Sequence, residues 1–325
     1  MPIRDWRRVD AGIFHHFVTR TLFRTRRREK ATPDKRNGVC GKESFVSHRM
    51  VLASFAVVLS MGCGSSRPPI QDGPSEKPPP VQESVSYLKS DPSVHGFLCR
   101  PSGDGAWPAV LLVHDRLGVT EGVKDATFRL AQNGFVALAV DLYRGDKVQS
   151  DEEAKRLQQE LPKQRALSDL KAAVDYLVER AEVNAETRQR NAEGSVVRQW
   201  SAVGAVGLGM GGGYALDAAL ADQRLRALAL CYSPLPTEAK SLEPLKASIF
   251  YIRAGKDASV SQEMLAQFCL TVRAAKKRIE RIRDFGDCSY GFLDPAFWPI
   301  HGTPKRKDID EAWDFIVKYF DNEIN

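Results

Sequence analysis

Three glycines, Gly207, Gly209 and Gly212, sit between an apolar run at Val203 to Leu208 and a helix-forming stretch. Two chemistries use such a turn. In the first, the amides of G-x-G-x-x-G cradle the pyrophosphate of a dinucleotide, and the next strand ends in an acid that holds the ribose. Here the next run ends Cys231-Tyr232-Ser233 without an acid, and at least three strand-like runs precede the glycines, so the cofactor reading lacks its partner residue. In the second, a sharp turn lifts one residue above the sheet as a nucleophile, and small neighbours let the helix approach. The residue at that point is Gly209, which has no side chain. Further polar groups end other apolar runs: His114-Asp115-Arg116, Asp141-Leu142-Tyr143-Arg144, Gly255-Lys256-Asp257 and Cys288-Ser289-Tyr290-Gly291-Phe292.

Strand ends at one edge of a parallel sheet would gather these residues, because ligands bind outside the carboxyl ends of such strands. The pattern fits that architecture. Short runs rich in β-branched residues predict strands at Val94 to Cys99, Ala109 to His114, Val136 to Leu142, Val203 to Leu208, Leu225 to Cys231, Ser248 to Arg253 and Arg278 to Phe285. Between them, Leu167, Leu170, Val174 and Leu177 mark one helix face, and Ile309, Trp313, Ile316 and Phe320 mark that of the last helix. The fold class is therefore α/β, a mostly parallel sheet with helices on both faces. The charged stretch 184–198 is longer than a helix-to-strand connection requires.

From Val94 to Phe320 the sequence resembles the dienelactone hydrolase family of α/β-hydrolases, whose elbow reads G-x-C-x-G-G. The resemblance rests on Gly207 to Gly212, on Asp141-Leu142-Tyr143 followed by Gly145, on Gly255-Lys256-Asp257, and on Tyr290-Gly291-Phe292 with Asp294-Pro295. It implies the α/β-hydrolase fold, with Asp257 as the retained triad acid, Gly209 at the nucleophile position and Tyr290 at that of the histidine. It also implies an oxyanion hole from the backbone N–H groups of Arg116 and Met210. Asp115 would replace an acidic residue that contacts the thiol in that family, and Arg144 would stand on the substrate side.

Two of three triad groups are thus absent, and neither glycine nor a phenol of pKa near ~10 can form or activate an acyl-enzyme. The expectation is a non-catalytic binding or scaffolding protein that keeps the family pocket for a small carboxylate or ester. The alternative is an active carboxylic ester or lactone hydrolase with an unrecognised nucleophile, in which His301 would have to fold back toward Ser289 or Ser233. Standing beside Pro299 and Pro304, His301 reads instead as a surface residue. Asp115 and Arg144 read equally well as a salt bridge at the rim. No cofactor and no metal site is expected.

The whole chain has 325 residues with 47 Lys plus Arg against 41 Asp plus Glu. Residues 1–49 hold 13 of the basic and 5 of the acidic side chains, so everything after them carries 34 and 36, and a nucleic-acid partner is not expected. This basic segment reads as a disordered leader or an over-extended start before Met50. Residues 50–63 form an apolar run too short to span a bilayer as a helix but of signal-peptide length, ending at Cys63. A small residue followed by Cys63 resembles the bacterial lipoprotein signal, which implies lipidation there and a place in the cell envelope, facing outside the cytoplasm. Residues 64–82, with Pro68, Pro69, Pro74, Pro78, Pro79 and Pro80, read as an extended tether to a domain spanning 83–325. Cys99, Cys231, Cys269 and Cys288 show no metal or redox spacing.

Overall fold

The computed structural model describes residues 78–180, 182–183, 186–190 and 196–325. The leader, the 50–63 segment with Cys63, and the tether up to residue 77 lie outside the described residues. An eight-stranded sheet organises the rest in the order β1-β2-β4-β3-β7-β8-β9-β10. Its strands are β1 (Val81–Ser86), β2 (His95–Arg100), β3 (Ala109–Val113), β4 (Val136–Val140), β7 (Val203–Leu208), β8 (Leu225–Cys231), β9 (Ser248–Ala254) and β10 (Ile279–Phe285). β1 and β2 are antiparallel to their neighbours, and every pairing from β4 to β10 is parallel.

The parallel centre follows from composition. In β3, β4 and β7 every residue is buried, as continuous apolar strands covered on both faces must be. Alternation then divides the core. Leu111 and Val113 face one layer with Leu170, Val174 and Leu177 of α3 (Lys163–Glu179) and with α4 (Met210–Ala221). Val110 and Leu112 face the other, with Val123 and Leu130 of α1 (Glu121–Gln132) and Trp313, Ile316 and Phe320 of α6 (Arg306–Ile324). The stripes at three-and-four spacing are core contacts, as predicted. Helix starts are fixed locally: Thr120 caps α1 by accepting from the Val123 N–H, Ser150 caps α2 (Asp151–Glu160), and Ser261 caps α5 (Gln262–Ala274).

Two findings depart from the sequence pattern. β1 starts at Val81 and so takes the last two residues of the expected tether. Within the charged stretch after α3, a separate antiparallel pair forms from β5 (Glu186–Arg190) and β6 (Val196–Ser201).

Candidate active site

The turn between β7 and α4 has elbow geometry. Gly209 sits at φ 49° and ψ −118°, a region that strains residues with a side chain, while its N–H donates to the Cys231 carbonyl at 3.0 Å. Close packing surrounds it. A Cβ on Gly207 would lie 2.3 Å from the Gly212 Cα, and one on Gly212 would lie 1.8 Å from the Ser233 Oγ. The glycine pattern therefore lets the helix start pack onto the strand ends, as the elbow reading requires.

The space above Gly209 belongs to Asp115, at the end of β3. A Cβ on Gly209 would lie 2.2 Å from Asp115 Oδ2 and 2.3 Å from its Cγ, so the carboxylate stands where a nucleophile side chain would begin. Asp115 Oδ1 accepts from the Arg116 N–H at 2.7 Å and from the Met210 N–H at 3.1 Å. Those are the two donors expected to form the oxyanion hole. Asp115 Oδ2 accepts from the Tyr290 hydroxyl at 2.5 Å. These three donors thus hold a carboxylate supplied by the chain itself, and Asp115 is only 2% exposed.

Burial raises the Asp115 carboxyl above its ordinary range, against the opposing pull of Tyr290, the two backbone N–H groups and the nearby Arg116 charge. Tyr290 is pushed far above a normal phenol, first by burial and then by the Asp115 charge. At neutral pH it donates and cannot serve as a base.

Asp257 follows β9 and is 7% exposed. Its Oδ1 accepts from the Ser259 N–H at 2.8 Å and the Ser259 hydroxyl at 2.7 Å, while its buried Oδ2 has no hydrogen-bond partner. A triad acid needs a histidine N–H there. Tyr290 turns its hydroxyl to Asp115 instead, so the acid and the residue at the histidine position are not joined.

The neighbouring groups hold this arrangement. His114, fully buried, donates from Nδ1 to the Asp115 carbonyl at 2.7 Å and accepts at Nε2 from the Leu142 N–H at 3.1 Å, an arrangement that fixes its tautomer. Burial lowers its pKa and keeps the ring neutral. The Tyr143 hydroxyl donates to the Arg116 carbonyl at 3.1 Å. The Arg116 guanidinium pairs with Asp151 and lies 5.3 Å over the Phe297 ring.

Several expected placements require correction. Arg144 does not pair with Asp115. It holds a left-handed φ of 55° and grips the buried Asp169 of α3 with two hydrogen bonds, at 2.9 and 2.6 Å. The Asp115–Arg144 rim salt bridge is therefore replaced by two separate arrangements, one joining Asp115 to Arg116, Met210 and Tyr290 and one locking the β4 end to α3. His301 is not a detached surface residue. Its ring meets Tyr290 edge-on at 5.7 Å and stacks on Phe297, yet no hydrogen bond joins it to Asp257 or to a hydroxyl among the described residues. Ser233 is fully buried behind the elbow, donating to the Cys231 carbonyl at 3.0 Å. Burial pushes the thiols of Cys99 and Cys288 up to about 12 and Cys231 higher still, so none supplies a thiolate.

One residue at the site escaped the sequence reading. Tyr232 follows β8 at φ 41°, is 1% exposed, and packs its ring 5.3 Å from Tyr290. Its position at a strand end was the available signal. Elsewhere, a groove of about 460 Å³ lies between β10 and α6, lined by residues such as Arg283, Asp287, Asp308 and Phe315, and it includes none of the site residues.

Comparison with known proteins agrees with this fold. The model of the dienelactone hydrolase family matches residues 94–323. A protein from Aquifex aeolicus (strain VF5) named as a carboxymethylenebutenolidase is 26% identical over 242 residues, covering 73% of this chain and 97% of its own. Among solved structures, the dienelactone hydrolase-like promiscuous phosphotriesterase P91 from metagenomic libraries superimposes with a TM-score of 0.63 at 21% identity, over 76% of this chain and 100% of its own. Dienelactone hydrolase from Anabaena variabilis gives 0.52 at 19% identity, over 76% and 99%.

Proposed function

The chain belongs to the dienelactone hydrolase family over residues 94–323, and we propose that it is a non-catalytic member, serving as a binding or scaffolding protein rather than a hydrolase. The observation that carries this reading is the broken line between acid and base: Asp257 Oδ2 is unpartnered while Tyr290 donates to Asp115. Covalent acyl transfer needs a nucleophile, a base that activates it and an open oxyanion hole. Gly209 offers no nucleophile, Tyr290 is not a base, and Asp115 fills the hole. Loss of nucleophile or base in a triad enzyme costs about 10⁶-fold in turnover, and here the residual help from the oxyanion hole is blocked as well.

The Cys63 sequence supports a location for this role, with lipidation there tethering the domain to the outer side of a bacterial membrane. Lipid labelling should mark the chain and Cys63→Ser should abolish the mark and the membrane partition. An unlabelled, soluble wild-type chain would refute the anchor. Catalysis is tested separately by incubating the full chain with an activated aryl ester and measuring intact mass. The expected result is no acyl adduct; an adduct that depends on Asp257 would overturn the non-catalytic reading.

A further inference from the structure

We propose that the oxyanion hole of this chain is a carboxylate-binding site whose resident ligand is Asp115 itself, closed to external acids and esters while that side chain is present. The inference concerns the site of the non-catalytic reading and rests on it. It names the ligand class: a small monocarboxylate, planar and with two acceptor oxygens.

The geometry carries the assignment. One oxygen, Oδ1, receives both backbone donors, from Arg116 at 2.7 Å and from Met210 at 3.1 Å, residues far apart in the chain that converge only in the fold. The other, Oδ2, receives the Tyr290 hydroxyl at 2.5 Å. A bound carboxylic acid would present the same two oxygens to the same three donors. The donors stay in place without Asp115, because each is held by other parts of the fold. Met210 opens α4, the Arg116 carbonyl is fixed by the Tyr143 hydroxyl, and the Tyr290 ring is packed between Tyr232, Phe297 and His301. Gly209 adds the vacancy that the carboxylate needs, since any Cβ there would meet it.

Truncating Asp115 should therefore leave a cavity of defined shape. In Asp115→Ala the missing group is a bare carboxylate, which formate matches. In Asp115→Gly it is a carboxylate with one more carbon, which acetate matches. The test is thermal unfolding of the full chain with sodium formate or sodium acetate against sodium chloride at equal ionic strength. Formate should raise the Tm of Asp115→Ala saturably, by roughly 3–5 °C at about ten times its dissociation constant, and acetate should do the same for Asp115→Gly. The wild type and Asp115→Asn, whose holes remain filled, should respond no more than they do to chloride.

Equal responses in all four proteins, or none in either truncated variant, would overturn the proposal. Should the truncated variants not accumulate folded in chloride, refolding from denaturant with the matched carboxylate replaces the melt. Recovery only in that carboxylate supports the proposal, and recovery in none contradicts it. Ester turnover by the wild type would instead refute the non-catalytic reading, whereas failed rescue in an inactive chain refutes this inference alone.

Discussion

At the scale of single residues, the turn at Gly209 was legible because it lies inside a short motif whose spacing is fixed by the strand-turn-helix geometry, and Tyr290 was legible as a residue of the motif that follows the last strand. What fills the vacancy was not legible. An acid after an apolar run reads as a rim charge, and nothing in the sequence brings Asp115 to the Met210 N–H, 95 positions away. That contact changes the expected behaviour of substitutions. Backbone strain alone predicts that Gly209→Cys costs about 1–3 kcal/mol, but its Cβ would also collide with the Asp115 carboxylate, so the combined loss should be about 2–6 kcal/mol. Adding Asp115→Gly should recover part of it, measured by chemical denaturation; an unchanged penalty would mean that the collision is not the cause. Charge gives a second expectation. Because burial raises the Asp115 pKa, the folded chain keeps this proton to higher pH than the unfolded chain does, and the group's contribution is lost as pH rises through the folded value. Asp115→Asn removes that loss while its carbonyl oxygen still accepts both N–H groups and its amide donates to Tyr290. Its Tm should equal or exceed that of the wild type at pH 7, with the advantage shrinking toward about pH 4, where both states of the wild type take up the proton. A large deficit at neutral pH would show that the negative charge itself holds the site.

At the scale of elements, the fully buried strands β3, β4, β7 and β9 and the almost fully buried β8 were legible as apolar runs, and α3 and α6 as amphipathic stripes. The partly buried β2 and β10 were legible too, while β1 and the charged β5–β6 pair were not. β1 is an edge strand with alternating exposure that follows directly on the prolines, and the β5–β6 pair carries a sequence, Glu186 to Arg190, that lacks apolar periodicity. The correction at Arg144 belongs here as well, because its role is to fasten one element to another. Asp169 is fully buried on α3, and the Arg144 fork is what pairs it. Arg144→Ala should leave a buried carboxylate unpaired and lower stability by about 3–5 kcal/mol, with Arg144→Lys only partly effective because it lacks the two-pronged geometry. A loss below about 1 kcal/mol in denaturant titration would mean that Asp169 finds another partner or takes up a proton.

At the scale of the whole molecule, the fold keeps the sheet order and the elbow, and the Asp115 carboxylate lies where a side chain at residue 209 would begin. The basic excess lies in residues 1–49, and at the site two backbone N–H groups and a phenol hydrogen-bond the Asp115 carboxylate. The direct test is steady-state hydrolysis of a simple aryl ester and of a lactone by the full chain, alongside Asp257→Asn. The account predicts rates indistinguishable from buffer for both proteins. A turnover of about 1 s⁻¹ or more in the wild type, lost in Asp257→Asn, would contradict it.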